Sequence, residues 1–198
     1  MKKVLSVVLV LLVSSIALSA DKVVGEYRMS YFDKSYEIEA SEIKNGKFSI
    51  YIYGQGERES DKIFMSIDSD KVDEFNNSLL QVRDKFKEWR QIARDNNVTD
   101  LTKEVDVKIP NVMIGWYGTQ WYFSYRNSIK ALYMILDSGK DVIIIAKEAT
   151  SSSNRYISET IYIAFSEPEE IDELVSQLNL EKITSKLNNE TNTLDLFK

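Results

Sequence analysis

Glu37 and Glu39 stand at alternate positions of a stretch in which Tyr36, Ile38 and Ala40 are apolar. That period of two predicts a half-buried strand with both carboxylates on its outer face. Two acids are the minimum for carboxylate-dependent hydrolysis of a glycosidic bond, but such a pair must face across a cleft, about 5 to 10 Å apart. Acids side by side on one strand are ordinarily solvated instead. Tyr51 and Tyr53 alternate with Phe48, Ile50 and Ile52 in the same manner, so they too point outward and share a face with the acids.

Aromatic residues provide the second chemical signal. Trp116, Tyr117, Trp121, Tyr122, Phe123 and Tyr125 fall within ten residues. Exposed tryptophan and tyrosine join a large apolar area to a polar handle, which suits stacking on a carbohydrate or contact with a protein. Aromatics are also good strand formers, and half of any alternating strand faces the core. The candidate binding surface is therefore Glu37, Glu39, Tyr51, Tyr53, Trp116 and Trp121.

The chain contains no histidine and no cysteine. This removes Ser-His and Cys-His nucleophilic sites, histidine acid-base catalysis and the usual zinc ligand sets. Gly54-Gln55-Gly56 lacks the flanking pattern of a phosphate loop, and Asp68-Ser69-Asp70 lacks the glycine and terminal glutamate of an EF-hand. No catalytic residue, cofactor or metal is assigned. Asn76-Asn77-Ser78, Asn97-Val98-Thr99 and Asn189-Glu190-Thr191 match the glycosylation pattern, but the Lys, Asn and Ile usage reads as bacterial.

Residues 1–20 read as a secretory signal peptide, with Lys2 and Lys3 before an apolar run from Val4 to Leu18 and small residues before a cleavage point at Ser19 or Ala20. The run is short for a membrane span, which needs about 20 residues, so no stable membrane insertion is expected after cleavage. Without cysteine no lipoprotein anchor is expected. The expected location is the periplasm or the medium. The net charge of −6 becomes more negative by two when Lys2 and Lys3 are removed, and an acidic chain repels nucleic acid and anionic membranes.

The elements that must position these residues occur twice. Ile63-Phe64-Met65-Ser66-Ile67 precedes Val72-Asp73-Glu74-Phe75, and Ile161-Tyr162-Ile163-Ala164-Phe165 precedes Ile171-Asp172-Glu173-Leu174. Upstream, Asn45-Gly46-Lys47 and Ser138-Gly139-Lys140 are matching hairpin turns. The pattern predicts an α+β fold made by tandem duplication: four or five antiparallel strands then one helix, twice, over residues 21–102 and 103–183, with a polar tail at 184–198. One curved antiparallel sheet with both helices on one face is the expected arrangement, and two small packed layers are the other solution. The first helix carries a stripe of Val72, Phe75, Leu79, Val82, Phe86, Trp89 and Ala93, with Asp68 or Ser69 as cap. The second starts at Ser166-Glu167-Pro168-Glu169, a capping box with proline in the first turn.

The halves differ outwardly: Lys130, Leu132 and Ala146 replace Glu37, Glu39 and Tyr53, and Ile144 replaces Tyr51. The unmatched surface lies in the first half. Tandem sheet-and-helix repeats resemble, in architecture, the proteinaceous inhibitors of periplasmic hydrolases, which implies a role in binding protein. The expected function is that of an exported, non-catalytic binding protein of a bacterial envelope or secretome, contacting a protein or glycan. The alternatives are a carrier holding a small apolar ligand against Phe75, Phe86 and Trp89, and a carboxylate-dependent hydrolase.

Overall fold

The structure is a computed structural model that describes residues 21–58 and 62–195, with side chains described as far as Asn188. The expected signal segment, and the side chains of Leu194, Leu196 and Phe197 in the expected tail, lie outside this description. In chain order the elements are β1 Lys22–Met29, β2 Lys34–Ala40, β3 Ser49–Tyr53, β4 Gln55–Gly56, β5 Ile63–Asp68 and helix α1 Val72–Asp95. Then come β6 Leu101–Val105, β7 Val112–Tyr117, β8 Trp121–Asn127, β9 Lys130–Ile135, β10 Asp141–Thr150, β11 Ser158–Phe165, α2 Pro168–Gln177 and α3 Leu180–Asp195.

The fold is α+β, with the strands in two antiparallel sheets rather than one. The first has the order β1-β2-β3-β5-β7-β8, and the second β4-β11-β10-β9-β6. The expected single curved sheet is corrected by the path of the chain, which passes repeatedly between the two sheets. At Gly54 the chain leaves β3 in the first sheet and enters β4, which pairs with β11 in the second. Gly54 permits this crossing: a Cβ there would lie 2.9 Å from the Tyr162 carbonyl oxygen. At β7 the chain returns to the first sheet and adds a hairpin to the free edge of β5. A strongly twisted sheet of many strands tends to split in this way, because two packed layers bury more apolar surface than one open one.

Both sheets and all three helices feed one continuous core. Ile38, Ile50, Met65 and Ile114 from the first sheet meet Tyr133, Ile143, Ile145 and Ile163 from the second, together with Phe75, Leu79 and Phe86 of α1, Ile171 and Leu174 of α2, and Ile183 and Leu187 of α3. The α1 stripe behaves as its three-four spacing predicts, and the helix ends at Asp95 beside Asn97, whose φ is 52°. Its start differs from expectation. A 3-10 turn, Ser69–Lys71, precedes it, and the Ser69 hydroxyl accepts the Phe48 amide at 3.3 Å instead of capping the helix. Arg90 of α1 donates to Asp141 of β10 at 2.6 Å, to Glu167 and to the Ser166 carbonyl, which locks the helix to the second sheet.

The capping box of α2 sits one residue later than expected. Glu167 precedes Pro168, and the Glu170 carboxylate accepts the amides of Glu167 at 3.0 Å and Ser166 at 2.6 Å, and also that of Ser30 at 2.9 Å. The tail expected from residue 184 is instead part of α3. Asn179 caps that helix by accepting the Lys182 amide at 2.9 Å, and Ile183 and Leu187, four apart, bury one face of it. The Asn45-Gly46 turn forms as read, with φ of 54° and 74° at its two residues.

With the two-residue β4 set aside, three strands and then a helix occur in both stretches, β2-β3-β5-α1 and β9-β10-β11-α2. Glu39 lies opposite Tyr51 just as Leu132 lies opposite Ile144. Strands are nevertheless exchanged: β4 belongs to the second sheet, while β7 and β8 belong to the first.

Candidate functional site

The face of the first sheet turned away from the core carries the chemistry. Cross-strand pairing sets its rows. Glu39 is opposite Tyr51, Tyr51 opposite Ser66, and Ser66 opposite Met113. One step along the strands, Tyr53 is opposite Phe64, Phe64 opposite Gly115, and Gly115 opposite Phe123. Directly paired residues share a face, so these rows are one surface.

Aromatic side chains form a connected floor on it. Phe64 lies at its centre, with ring centroids 4.9 Å from Tyr51, 5.5 Å from Tyr53 and 5.6 Å from Trp121. Trp121 stacks on Phe123 at 6.3 Å and meets Tyr117 edge-on at 5.6 Å. These offset and edge geometries are those that the ring quadrupole favours. Phe64 is only 6% exposed although it faces outward, because its neighbours lean over it. Gly115 makes room beneath: a Cβ there would lie 2.5 Å from the Phe64 ring.

Five of the six residues singled out from the sequence belong to this surface: Glu37, Glu39, Tyr51 and Tyr53 at one end, and Trp121 at the other. Trp116 does not. It is 3% exposed, points into the core and packs against Tyr122 at 5.9 Å. Trp116 is paired with Tyr122, whereas Trp121 is paired with Tyr117, so the two tryptophans fall on opposite faces. Phe64 and Gly115 were not singled out, though both left a signal. Phe64 alternates with Ile63 and Met65, which places it outward, and an isolated glycine in a strand marks close approach by another group.

Acids border the Tyr51–Tyr53 end. The Tyr53 hydroxyl donates to Glu39 at 3.0 Å, and the Tyr27 hydroxyl donates to the Tyr53 carbonyl at 2.6 Å, so Tyr53 is held at both ends. Burial pushes the Tyr53 hydroxyl well above its ordinary pKa, and the nearby Glu39 charge adds to this. Burial likewise raises Tyr51 and Asp21. Glu26 of β1 is directly opposite Glu37 of β2, and like charges so placed destabilise a sheet. Among the described residues, no lysine or arginine forms a salt bridge with Glu26, Glu37 or Glu39, and no three acids are grouped closely enough to hold a metal ion.

Burial raises the Glu39 carboxyl above the usual carboxylate range; the Tyr53 hydrogen bond opposes the rise, and the charges of Asp21 and Glu37 add to it. An acid with a higher pKa folded than unfolded binds protons more tightly in the native state, so its ionisation lowers stability as pH rises from the unfolded value through the folded one. Glu39→Gln is therefore expected to raise stability at pH 7, with a gain that shrinks towards zero below about pH 4, where both states are protonated. Urea midpoints at the two pH values check this; an equal gain at both would remove the electrostatic explanation.

The residues named for the other readings are otherwise engaged. Phe75 and Phe86 are buried in the core, and Trp89 packs on Tyr133 at 5.8 Å with the Lys103 ammonium 4.3 Å from its ring. Glu37 and Glu39 are neighbours along one strand and do not face each other. A groove of about 730 Å³ lies where the sheets meet, bounded by Tyr31, Phe32, Gln55 and Ile144. Its Gln55 side-chain Oε1 already accepts from Tyr36 at 2.8 Å and Lys34 at 3.3 Å.

Comparison with protein-family models, with curated proteins and with solved structures finds no match for this chain. Among the described residues no helix is long and apolar enough to cross a membrane. The fold and this surface together describe an α+β protein whose two sheets enclose one core and whose first sheet presents an aromatic face.

Proposed function

We propose that this is an exported, non-catalytic binding protein of a bacterial envelope or secretome, built on a tandem duplication, which contacts a protein or glycan through the outward face of its first sheet. The observation that carries this reading is the floor of Tyr51, Tyr53, Phe64, Trp121 and Phe123 on the face turned away from the core. Aromatic side chains supply most of the energy at many recognition surfaces, since they bury much area while losing little conformational freedom. The sequence supports the rest: an N-terminal run of signal-peptide type, acidity, and no histidine or cysteine for the usual catalytic constellations.

The test is recovery of the protein from its native periplasm or medium, with mass spectrometry of what accompanies it. A specific protein or glycan is expected with the parent chain, and its recovery falls about tenfold or more in Trp121→Ala, as for the loss of a central aromatic anchor. Equal recovery with parent and variant would place the contact elsewhere. A bound lipid would favour the carrier reading.

A further inference from the structure

We infer that the outward face is specific for a protein segment presenting an arginine or lysine side chain, seated over Tyr51 and Tyr53 with Glu37 and Glu39 as its counter-charges. The inference rests on the reading of this face as a binding surface and names the chemistry of the occupant.

Four features of the face converge on a cation. First, Glu26 and Glu37 are directly opposed across β1 and β2, and Glu39 follows Glu37 on the same face. An arrangement that destabilises the free sheet is expected where a ligand relieves the repulsion. Second, among the described residues these three acids, like many others on the chain, have no salt-bridge partner, so no lysine or arginine of the described chain already neutralises them. Third, Tyr51 and Tyr53 flank the acids, and tyrosine rings attract cations through their faces within about 6 Å. The far end of the same floor already shows this contact: the Lys62 ammonium lies 5.3 Å from the Tyr117 centroid. No such cation lies over Tyr51 or Tyr53 among the described residues.

The fourth feature is the spread of the charge. Glu26 lies on β1 and Glu37 and Glu39 on β2, and among the described residues they form no metal-type cluster, so the negative field extends along two strands and suits an organic cation on a flexible chain. A guanidinium or ammonium brings an apolar stem to lie on the aromatic floor and a charged head to meet the carboxylates. A neutral glycan would leave the opposed acids without counter-charge. The formal charge of −6 adds long-range attraction for a basic partner.

The test uses the exported protein and three probes: a tetra-arginine peptide, a tetra-glutamate peptide and chitohexaose. Each is titrated calorimetrically and followed by amide chemical shifts at about 0.15 M salt, where distant charge is screened. The arginine peptide is expected to bind and to shift Glu39, Tyr51, Tyr53 and Phe64. Glu37→Gln/Glu39→Gln is expected to weaken it about tenfold or more without lowering thermal stability. Binding that shifts other regions, or that survives the double substitution, would overturn the inference. Binding of chitohexaose on these residues without the arginine peptide would overturn it while leaving the face a recognition surface. Silence from all three probes would overturn it as well, and recovery of a partner that Trp121→Ala abolishes would then still uphold the surface itself.

Discussion

Residues 21–100 expressed alone are expected not to fold cooperatively. Three losses combine. Strand β5, buried along most of its length, loses β7 on one edge and exposes a row of backbone donors and acceptors next to Ile63, Met65 and Ile67. Strand β4 loses β11, its partner in the second sheet. Helix α1 loses the ceiling on which Phe86 and Trp89 rest, since Tyr133 lies 5.9 and 5.8 Å from them, and Arg90 loses both Asp141 and Glu167. Each large apolar side chain returned to water forfeits about 1.5 to 3 kcal/mol, and a domain's whole stability is only about 5 to 15 kcal/mol. A few such residues suffice. Urea titration followed by far-ultraviolet circular dichroism is expected to give one sigmoidal transition for the full chain and a sloping, featureless curve for the fragment. A cooperative, monomeric fragment would show that the strand exchange between the sheets is dispensable.

Phe64→Ala is expected to cost about 3 kcal/mol and to dismantle the aromatic face at the same time. Phe64 is the one side chain of the aromatic floor that touches Tyr51, Tyr53 and Trp121 together. Its removal leaves a hollow above Gly115, and the flanking rings can only partly close over it. The relation to Gly115 offers a sharper check. Gly115→Ala alone drives a methyl group to 2.5 Å from the Phe64 ring, so the ring must shift and the floor must open. In a Phe64→Ala background that clash is gone, and most of the cost of Gly115→Ala should vanish. Residues in contact couple in this manner, while distant ones add. Denaturant midpoints of the two single variants and the double variant measure it; strict additivity would mean that Phe64 does not lie over Gly115.

Several local features were legible because they depend on a few neighbouring residues. The alternation of Tyr36 to Ala40 and of Phe48 to Tyr53 placed Glu37, Glu39, Tyr51 and Tyr53 outward, since a strand's side chains alternate without reference to its partners. Asn45-Gly46 required positive φ at two successive residues, and only turn chemistry of that kind allows it. The α1 stripe followed from helical spacing alone. Starts and ends of helices were less legible. Ser166 and Glu167 both suit a cap, and the Ser30 amide, brought to Glu170 from 140 residues away, belongs to the later register.

What the sequence by itself determined, then, is the inward and outward parity of the strands that carry Glu37, Glu39, Tyr51 and Tyr53, the hairpin turn, the helical stripe, and the absence of histidine and cysteine chemistry. Tertiary structure alone decided which sheet each strand joins and which aromatics meet. Trp116 and Trp121 show the reason. Both sit in strand-forming runs, yet their faces depend on how many residues the β7–β8 turn consumes, because shifting a pairing by one residue moves every side chain to the other side. Likewise, Phe64 becomes the centre of a floor only when β7 pairs with β5 and brings a glycine beneath it. These are contacts between segments some fifty residues apart in the chain, and periodicity within either segment carries no record of them.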